Sequence, residues 1–295
     1  MNHVNASIST NYFMTTLSGS VGPSITYYTE VSKNISDFDV SDFSDKASFA
    51  AYAGINYTYK SLGISVEFKN YNNFLIGSGI NEPPALVKEH SYSVLNRSTH
   101  VLQPANEKGY QIEVFYSFPD FSTLTLNYTK AINDFNKKTV FQEYFVEYDF
   151  AIASKHDIKI FADYAKDPFK LEDDRISTGI NTVLKATKTH AYTIDYEFQS
   201  FERLAETYQN HVIVLGYNPI PKLIGSVVAE WSTDSFLVEK GTRFWIGANM
   251  RYQLNRKNSL QLFVGERRGG TACNAGVYYE VLDFKGVELR LTSKF

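Results

Sequence analysis

Apolar and polar residues alternate along almost the whole chain. In residues 49–59 the odd positions are apolar, and most even positions are small or polar. The same period of two recurs in residues 62–69, 124–129, 140–150, 192–199 and 244–254. Because successive side chains of a strand point to opposite faces, this period predicts strands with one apolar and one polar face. No segment of comparable length has the 3.6-residue period of a helix.

These runs predict about fifteen strands. Their expected positions are residues 5–18, 24–33, 47–60, 62–70, 109–118, 122–131, 140–150, 157–166, 174–184, 190–199, 208–217, 222–231, 242–254, 258–267 and 277–295. The last run is expected to bend or break near Asp283-Phe284-Lys285.

Short and long connections alternate between the predicted strands. Short turns are expected near residues 22–23, 60–61, 119–120, 154–156, 186–187, 218–221 and 255–257. Longer polar loops are expected near residues 34–46, 71–108, 132–139, 167–173, 200–207, 232–241 and 268–276. This arrangement is typical of an antiparallel up-and-down transmembrane β-barrel. Residues 1–295 are therefore predicted to form a single barrel domain.

The loop at residues 71–108 is too long for a plain connection. It contains apolar residues, among them Leu86, Val94 and Leu95, which favour packing over exposure. We expect it to be an extracellular loop that folds into or over the barrel as a plug or lid.

Full charges lie on the polar side of the alternation. In one sheet closed on itself, a charged face must line water while the broad apolar face meets lipid. The residues predicted to line the lumen are Glu67, Lys69, Glu113, Glu143, Glu147, Asp149, Asp163, Asp195, Glu197, Glu230, Arg243, Arg251, Arg267 and Arg290. The apolar residues predicted to face lipid near mid-strand are Leu126, Val146, Ile160, Ile194, Val227, Ile246 and Leu262.

The lumen charges allow two interpretations. Acidic residues cluster on the strands between residues 140 and 199, and Arg243, Arg251, Arg267 and Arg290 follow on later strands. Opposed acidic and basic walls would set a transverse field that selects polar solutes. Alternatively, the charges form ion pairs that fill a plugged barrel.

Composition narrows the classes further. The 295 residues include 29 Lys and Arg and 32 Asp and Glu, which gives a formal net charge of −3. This balance gives no basic footprint for nucleic acid, so no nucleic-acid partner is expected. The single Cys excludes an intrachain disulfide framework and a structural zinc site. No apolar run approaches the roughly 20 residues of a membrane-spanning helix.

The last predicted strand carries a pattern that indicates assembly into a membrane. Leu289, Leu291 and Phe295 form an alternating run with a terminal aromatic residue, which resembles the assembly signal of bacterial outer-membrane barrels. The expected partners are therefore outer-membrane lipid and the barrel-assembly machinery, together with other envelope proteins.

The predicted strand count is odd, whereas bacterial barrels normally have an even number of strands with periplasmic ends. The first residues also lack the features of a secretory signal. We therefore expect an upward strand and a signal peptide before Met1, so that this chain is the C-terminal part of a longer product and an incomplete barrel.

Two stretches carry a resemblance to a known family. One includes Glu82-Pro83-Pro84 and residues 88–102, and the other comprises residues 265–270 and 279–295. Both resemble an uncharacterised family of Bacteroidota outer-membrane barrels, a domain-of-unknown-function family, over most of the chain from about Ala51 onward. The resemblance implies a longer natural protein, a barrel fold and an outer-membrane location in a Gram-negative bacterium. It implies no activity, because none is established for that family.

Candidate catalytic residues occur in the long loop, as His90, Ser91, Arg97, Ser98 and His100. They do not form a spaced set of nucleophile, base and orienting group, so we expect no enzyme activity.

Candidate metal ligands are the carboxylates of Glu172-Asp173-Asp174 and of Asp134 in an earlier loop. Loop carboxylates are mostly solvated, so neither a metal nor another cofactor is expected.

Two function classes remain for such a protein. The first is a passive channel or porin-like pathway for small polar solutes. The second is a non-transporting barrel that serves as a structural or accessory subunit of an envelope assembly, or as a surface receptor. A lumen left open beside residues 71–108 would favour the first class, and a filled lumen would favour the second.

Overall fold

Strands make up most of the computed structural model, which describes residues 12–34, 48–72, 74, 86–101, 106–134, 138–153, 155–238, 241–274 and 277–294. The strands are β1 (Tyr12–Val21), β2 (Ile25–Asn34), β3 (Phe49–Tyr59), β4 (Leu62–Asn72), β5 (Asn106–Ser117), β6 (Thr123–Asn133), β7 (Thr139–Ile152), β8 (His156–Asp167), β9 (Glu172–Lys185), β10 (Ala191–Arg203), β11 (Glu206–Ile220), β12 (Leu223–Ser232), β13 (Arg243–Gln253), β14 (Asn258–Arg267), β15 (Gly270–Asn274), β16 (Val277–Val281) and β17 (Phe284–Ser293). A single five-residue helix, α1 (Ser93–Arg97), is found within these ranges.

Fifteen strands form one sheet in which each strand pairs with the next along the chain. The order runs from β1 to β14 and ends with β17, while β15 and β16 form a separate two-stranded sheet. This confirms the predicted all-β, antiparallel, up-and-down architecture. Among the helices of the described ranges, none has the length and apolar character needed to cross a membrane.

Some predictions fall on residues that lie outside the described ranges. These include residues 5–11 of the first predicted strand, residues 75–85 and 102–105 of the long loop, and Phe295.

The chain divides into two compact units. The first comprises residues 1–88, 101–114 and 127–142, and the second comprises residues 89–100, 115–126 and 143–295. In the first unit, Ala50, Tyr71 and Phe74 form a small buried cluster against which Tyr12 packs. In the second unit, the buried cluster is Tyr92, Val94, Leu95, Phe145, Phe161 and Val212.

A soluble sheet buries its apolar face and exposes its polar face. Here the burial of the two faces is reversed. In β10, Ile194 and Tyr196 are exposed, whereas Glu197 and Gln199 are buried. Over the described residues, buried polar and charged side chains outnumber buried apolar ones. Alternation therefore places charge on the covered face and apolar side chains on the exposed face, because neighbouring residues of a strand point to opposite faces.

The exposed apolar side chains form a continuous row in the second unit. Register partners carry the row from β10 to β17 through Ile194, Leu215, Val227, Ala248, Val264 and Val287. All six are exposed. Adjacent strands lie about 4.8 Å apart, so the row spans five such steps as one apolar band.

The predicted loop at residues 200–207 is wrong. β10 and β11 extend into it and leave only Leu204 and Ala205 between them. Both turn residues have positive φ, 53° and 65°, as a type I′ hairpin requires. The strands continue because Phe201 and Tyr208 are buried on the polar face, with their rings 5.8 Å apart.

The predicted loops at residues 167–173 and 268–276 also need correction. Only residues 168–171 separate β8 from β9, and β15 occupies most of the later loop. The final predicted strand does break near Asp283, as expected. Its first half, however, pairs with β15 through Cys273 and Tyr278 and does not continue β17.

Candidate functional site: a segment held on the buried polar face

Residues 89–100, here called the inserted segment, contact the polar faces of several strands in the second unit. The Tyr92 hydroxyl donates to Glu147 Oε2 on β7 at 2.6 Å. The Val94 backbone N–H donates to Glu197 Oε2 on β10 at 2.9 Å. Since Arg97 also pairs with Glu230 on β12, the segment lies across the strands and not along one of them.

Apolar packing fixes the centre of the inserted segment. The Tyr92 ring stacks on Phe161 with centroids 3.7 Å apart. Gly179 is the register partner of Phe161 and leaves room for the Phe161 ring, because an added Cβ would lie 2.5 Å from Phe161 Cε1. Val94 and Leu95 are buried in the same cluster. Burial of each such side chain contributes about 1.5–3 kcal/mol.

Tertiary contacts, more than intrinsic preference, hold α1. A helix of five residues is too short to be stable alone, and its N-cap residue, Tyr92, makes no side-chain capping hydrogen bond. Gln199 Nε2 donates to the Val94 carbonyl at 3.3 Å, and the Thr99 hydroxyl donates to the Asn96 carbonyl at 2.8 Å. The sheet thus satisfies one helix carbonyl, and the inserted segment itself satisfies another.

Arg175 on β9 is fully buried beside the inserted segment. Its Nη2 lies 3.1 Å from Glu143 Oε1, and its Nη1 lies 3.1 Å from Glu172 Oε2. Its Nε lies 3.5 Å from Asp163 Oδ1, and Nη1 donates to the Ser98 carbonyl at 2.8 Å. One guanidinium therefore joins strands β7, β8 and β9 to the end of α1.

Two buried histidines of the inserted segment face carboxylates. His90 Nε2 lies 3.3 Å from Glu143 Oε2, and His100 Nδ1 lies 3.5 Å from Asp167 Oδ2. The two histidines among the candidate catalytic residues therefore lie against separate carboxylates on β7 and β8. Ser98 Oγ donates to Gln199 Oε1 at 3.3 Å.

Two of the candidate metal ligands, Glu172 and Asp174, are engaged by protein groups. Asp174 accepts from Tyr164 at 2.6 Å and pairs with Lys166 at 2.9 Å, while Glu172 pairs with Arg175. Over the ranges the structure describes, no group of three or more His, Cys, Asp or Glu side chains could hold a metal ion.

The predicted lumen residues differ in burial. Those that are buried are Lys69, Glu143, Asp163, Glu197 and Glu230. Those that are partly buried are Glu67, Glu113, Glu147, Asp149, Asp195, Arg243 and Arg267. Those that are exposed are Arg251 and Arg290, as are Leu289 and Leu291 of the predicted assembly signal.

Predicted lumen residues of both signs form ion pairs with nearby residues of opposite charge. Lys159 lies 3.5 Å from Glu147 and 3.7 Å from Asp149. Among the basic residues, Arg267 pairs with Glu288 at 2.7 Å. In the first unit, Lys69 and Glu107 form a fully buried pair at 2.6 Å.

Sequence reasoning missed Arg175 and Asp167, and it identified Glu172 only as a candidate metal ligand. Arg175 has the same parity as the polar residues Ser177 and Asn181, so the alternation did contain a signal for it. Its neighbours 172 and 167 were assigned to a loop, which hid the cluster.

Comparison with known proteins gives one match. The model of a family described as "Family of unknown function (DUF6029)" matches residues 21–133. The matched range includes the resemblance at residues 82–102 and ends before the one at residues 265–295. No curated protein and no solved structure matches the chain. The matched part is therefore similar to an uncharacterised domain.

We expect Arg175→Met to lower the free energy of unfolding by about 3–5 kcal/mol, because three buried carboxylates lose their cation. Urea unfolding in detergent would measure it. Lys166→Met is the matched control, since Lys166 is 43% exposed and pairs only at the surface with Asp174, and it should cost less than about 1 kcal/mol. Equal effects of the two changes would contradict the central role of Arg175.

Tyr92 predicts a pH dependence at the alkaline end. Burial, followed by the hydrogen bond to Glu147, raises the pKa of Tyr92 above its ordinary value. The folded state therefore favours the protonated phenol, and this contribution is complete below about pH 10 and is lost as the pH rises further. In Tyr92→Phe, the free energy of unfolding should fall by about 1.4 kcal/mol less per pH unit above pH 10. Parallel curves for the two proteins would show that this phenol does not matter.

Proposed function

We propose that the protein is a transmembrane β-barrel of the outer membrane of a Gram-negative bacterium, formed when the antiparallel sheet closes on itself. The observation that carries this proposal is the exposed apolar row from Ile194 to Val287, opposite a buried charged face. In water such a sheet would expose its apolar face. In lipid, contact between that apolar face and the acyl chains stabilises the sheet, while its charges stay away from the hydrocarbon.

Strand lengths support the same proposal. From β6 to β14 the strands have between 10 and 15 residues, and a tilted strand needs about 9–11 to cross a bilayer. The resemblance to Bacteroidota outer-membrane barrels points the same way. Lipid and the barrel-assembly machinery are then the partners, and residues 1–295 would lie in one barrel domain.

We further propose that the protein is a plugged barrel with a structural, accessory or receptor role. The inserted segment carries a hydrophobic cluster and an ion-pair network onto the polar face. An open pore would leave that face to water. A filled polar face favours the non-transporting class over the porin-like class, and no catalytic step is assigned to it.

A porin-like pathway is the second candidate. It is favoured by Arg251 and Arg290, which are exposed on the polar parity of β13 and β17. Charged side chains in contact with water are what a pathway for polar solutes needs.

Ile246 and Asn249 test which face meets lipid. Ile246 is 60% exposed in the apolar face, and Asn249 lies on the opposite parity of the same strand. An arginine in the lipid face near the midplane costs about 2–4 kcal/mol. Ile246→Arg should therefore reduce the folded protein recovered from membranes far more than Asn249→Arg. Equal recovery would refute the proposed membrane face.

Conductance tests the plug. In planar lipid bilayers, the unmodified protein should conduct little, and Leu95→Asp should conduct several-fold more because a charge in the buried cluster displaces the inserted segment. Leu204→Asp is the matched control, since Leu204 is 84% exposed in a turn. High conductance of the unmodified protein would favour the porin-like pathway instead.

A further inference from the structure

Three arginines lie together on the polar face of the sheet: Arg251 on β13, Arg267 on β14 and Arg290 on β17. Arg251 is the register partner of Gln261, and Gln261 is the register partner of Arg290. The two arginines are therefore two strand spacings apart, about 10 Å between backbones. Their long side chains can meet above the amide of Gln261.

Glu288 on β17 contacts both Arg290 and Arg267. Its Oε1 accepts from Arg290 Nη2 at 2.5 Å, and its Oε2 lies 2.7 Å from Arg267 Nη1. The Arg267 guanidinium also lies over the rings of Phe263 and Phe284, 5.2 and 4.8 Å from their centroids. Arg267 is thus held in place by a carboxylate and two aromatic rings.

The charge of the group is unbalanced. It contains three guanidinium groups and one carboxylate, which gives a formal charge of about +2. The four side chains line a cavity of about 250 Å³, together with Asn249, Gln261 and the apolar residues Met250, Leu262 and Phe263. Arginine and amide donors converging on a small space match the geometry of an oxyanion.

We propose that this cavity binds a small solute that is a dianionic oxyanion, either a compound with a phosphate monoester group or the free sulfate ion. Arg251 and Arg290 donate to the oxygens of the group, and the Gln261 amide adds a neutral donor between them. Glu288 is a positioning residue that directs Arg290 and Arg267. This inference goes beyond the proposed function, because the site needs only the polar face of three paired strands. In a plugged barrel with a receptor role, it would be the ligand site.

The test is calorimetric titration of inorganic phosphate and of sulfate into the folded, detergent-solubilised full chain. We expect saturable binding of one anion, weakened by added sodium chloride as charge screening requires. Arg251→Gln should weaken the binding at least tenfold. Arg243→Gln is the matched control on the same strand, because Arg243 pairs with Glu266 and Asp283, and it should change the affinity less than twofold.

Binding of a lipid headgroup is tested in parallel, with short-chain phosphatidic acid as the ligand. Binding of that lipid without binding of free phosphate would overturn the assignment to a solute. Absence of saturable binding, or equal weakening by Arg251→Gln and Arg243→Gln, would also overturn it. Far-ultraviolet circular dichroism of each variant before titration establishes that the sheet is intact. Failure of the anion site is thereby distinguished from failure of the membrane proposal, which is measured separately as folded protein in membranes.

Discussion

Burial of charge is the constraint on which the second unit depends. Taking an ion out of water costs several kcal/mol unless partners replace the lost hydration. Arg175 meets this condition with three carboxylates and one carbonyl oxygen. Glu143 also faces His90, and Asp163 also accepts from Ser177, so the inserted segment, β7, β8 and β9 are bound into one network. The segment is consequently a part of the interior as much as a connection between β4 and β5.

The same constraint explains why the faces of the sheet are distinguishable at all. Alternation of period two occurs in soluble and in membrane sheets alike. What separates the two is the chemistry of the covered face. Here Glu197, Gln199 and Glu230 are covered, while Ile194 and Val227 are not. A covered charged face and an exposed apolar face are the arrangement that the proposed lipid surroundings would stabilise.

Most of the fold could be predicted because its signal is local. The strands from β3 to β14 follow from residue parity, and the break near Asp283 follows from interrupted alternation. The hairpin at Leu204-Ala205 could not be predicted, since its residues lack the Asn-Gly or Asp-Gly signature of a type I′ turn. The site was harder still. Several of its charged residues, such as Glu143 and Glu230, were identified by parity. The contacts of Arg97 with Glu230 and of Arg175 with Ser98, however, join residues far apart in sequence.

Sequence separation also sets the order in which the second unit can form. Val94 and Glu197 are 103 residues apart, and Arg97 and Glu230 are 133 apart. Loop closure of that length is entropically costly, so contacts between distant residues form slowly. The inserted segment cannot complete its contacts until β12 has been added, because Arg97 pairs with Glu230 on that strand. Folding of this unit therefore ends with the docking of a segment that was synthesised near its beginning, and that last step is the one at which assembly is most open to error.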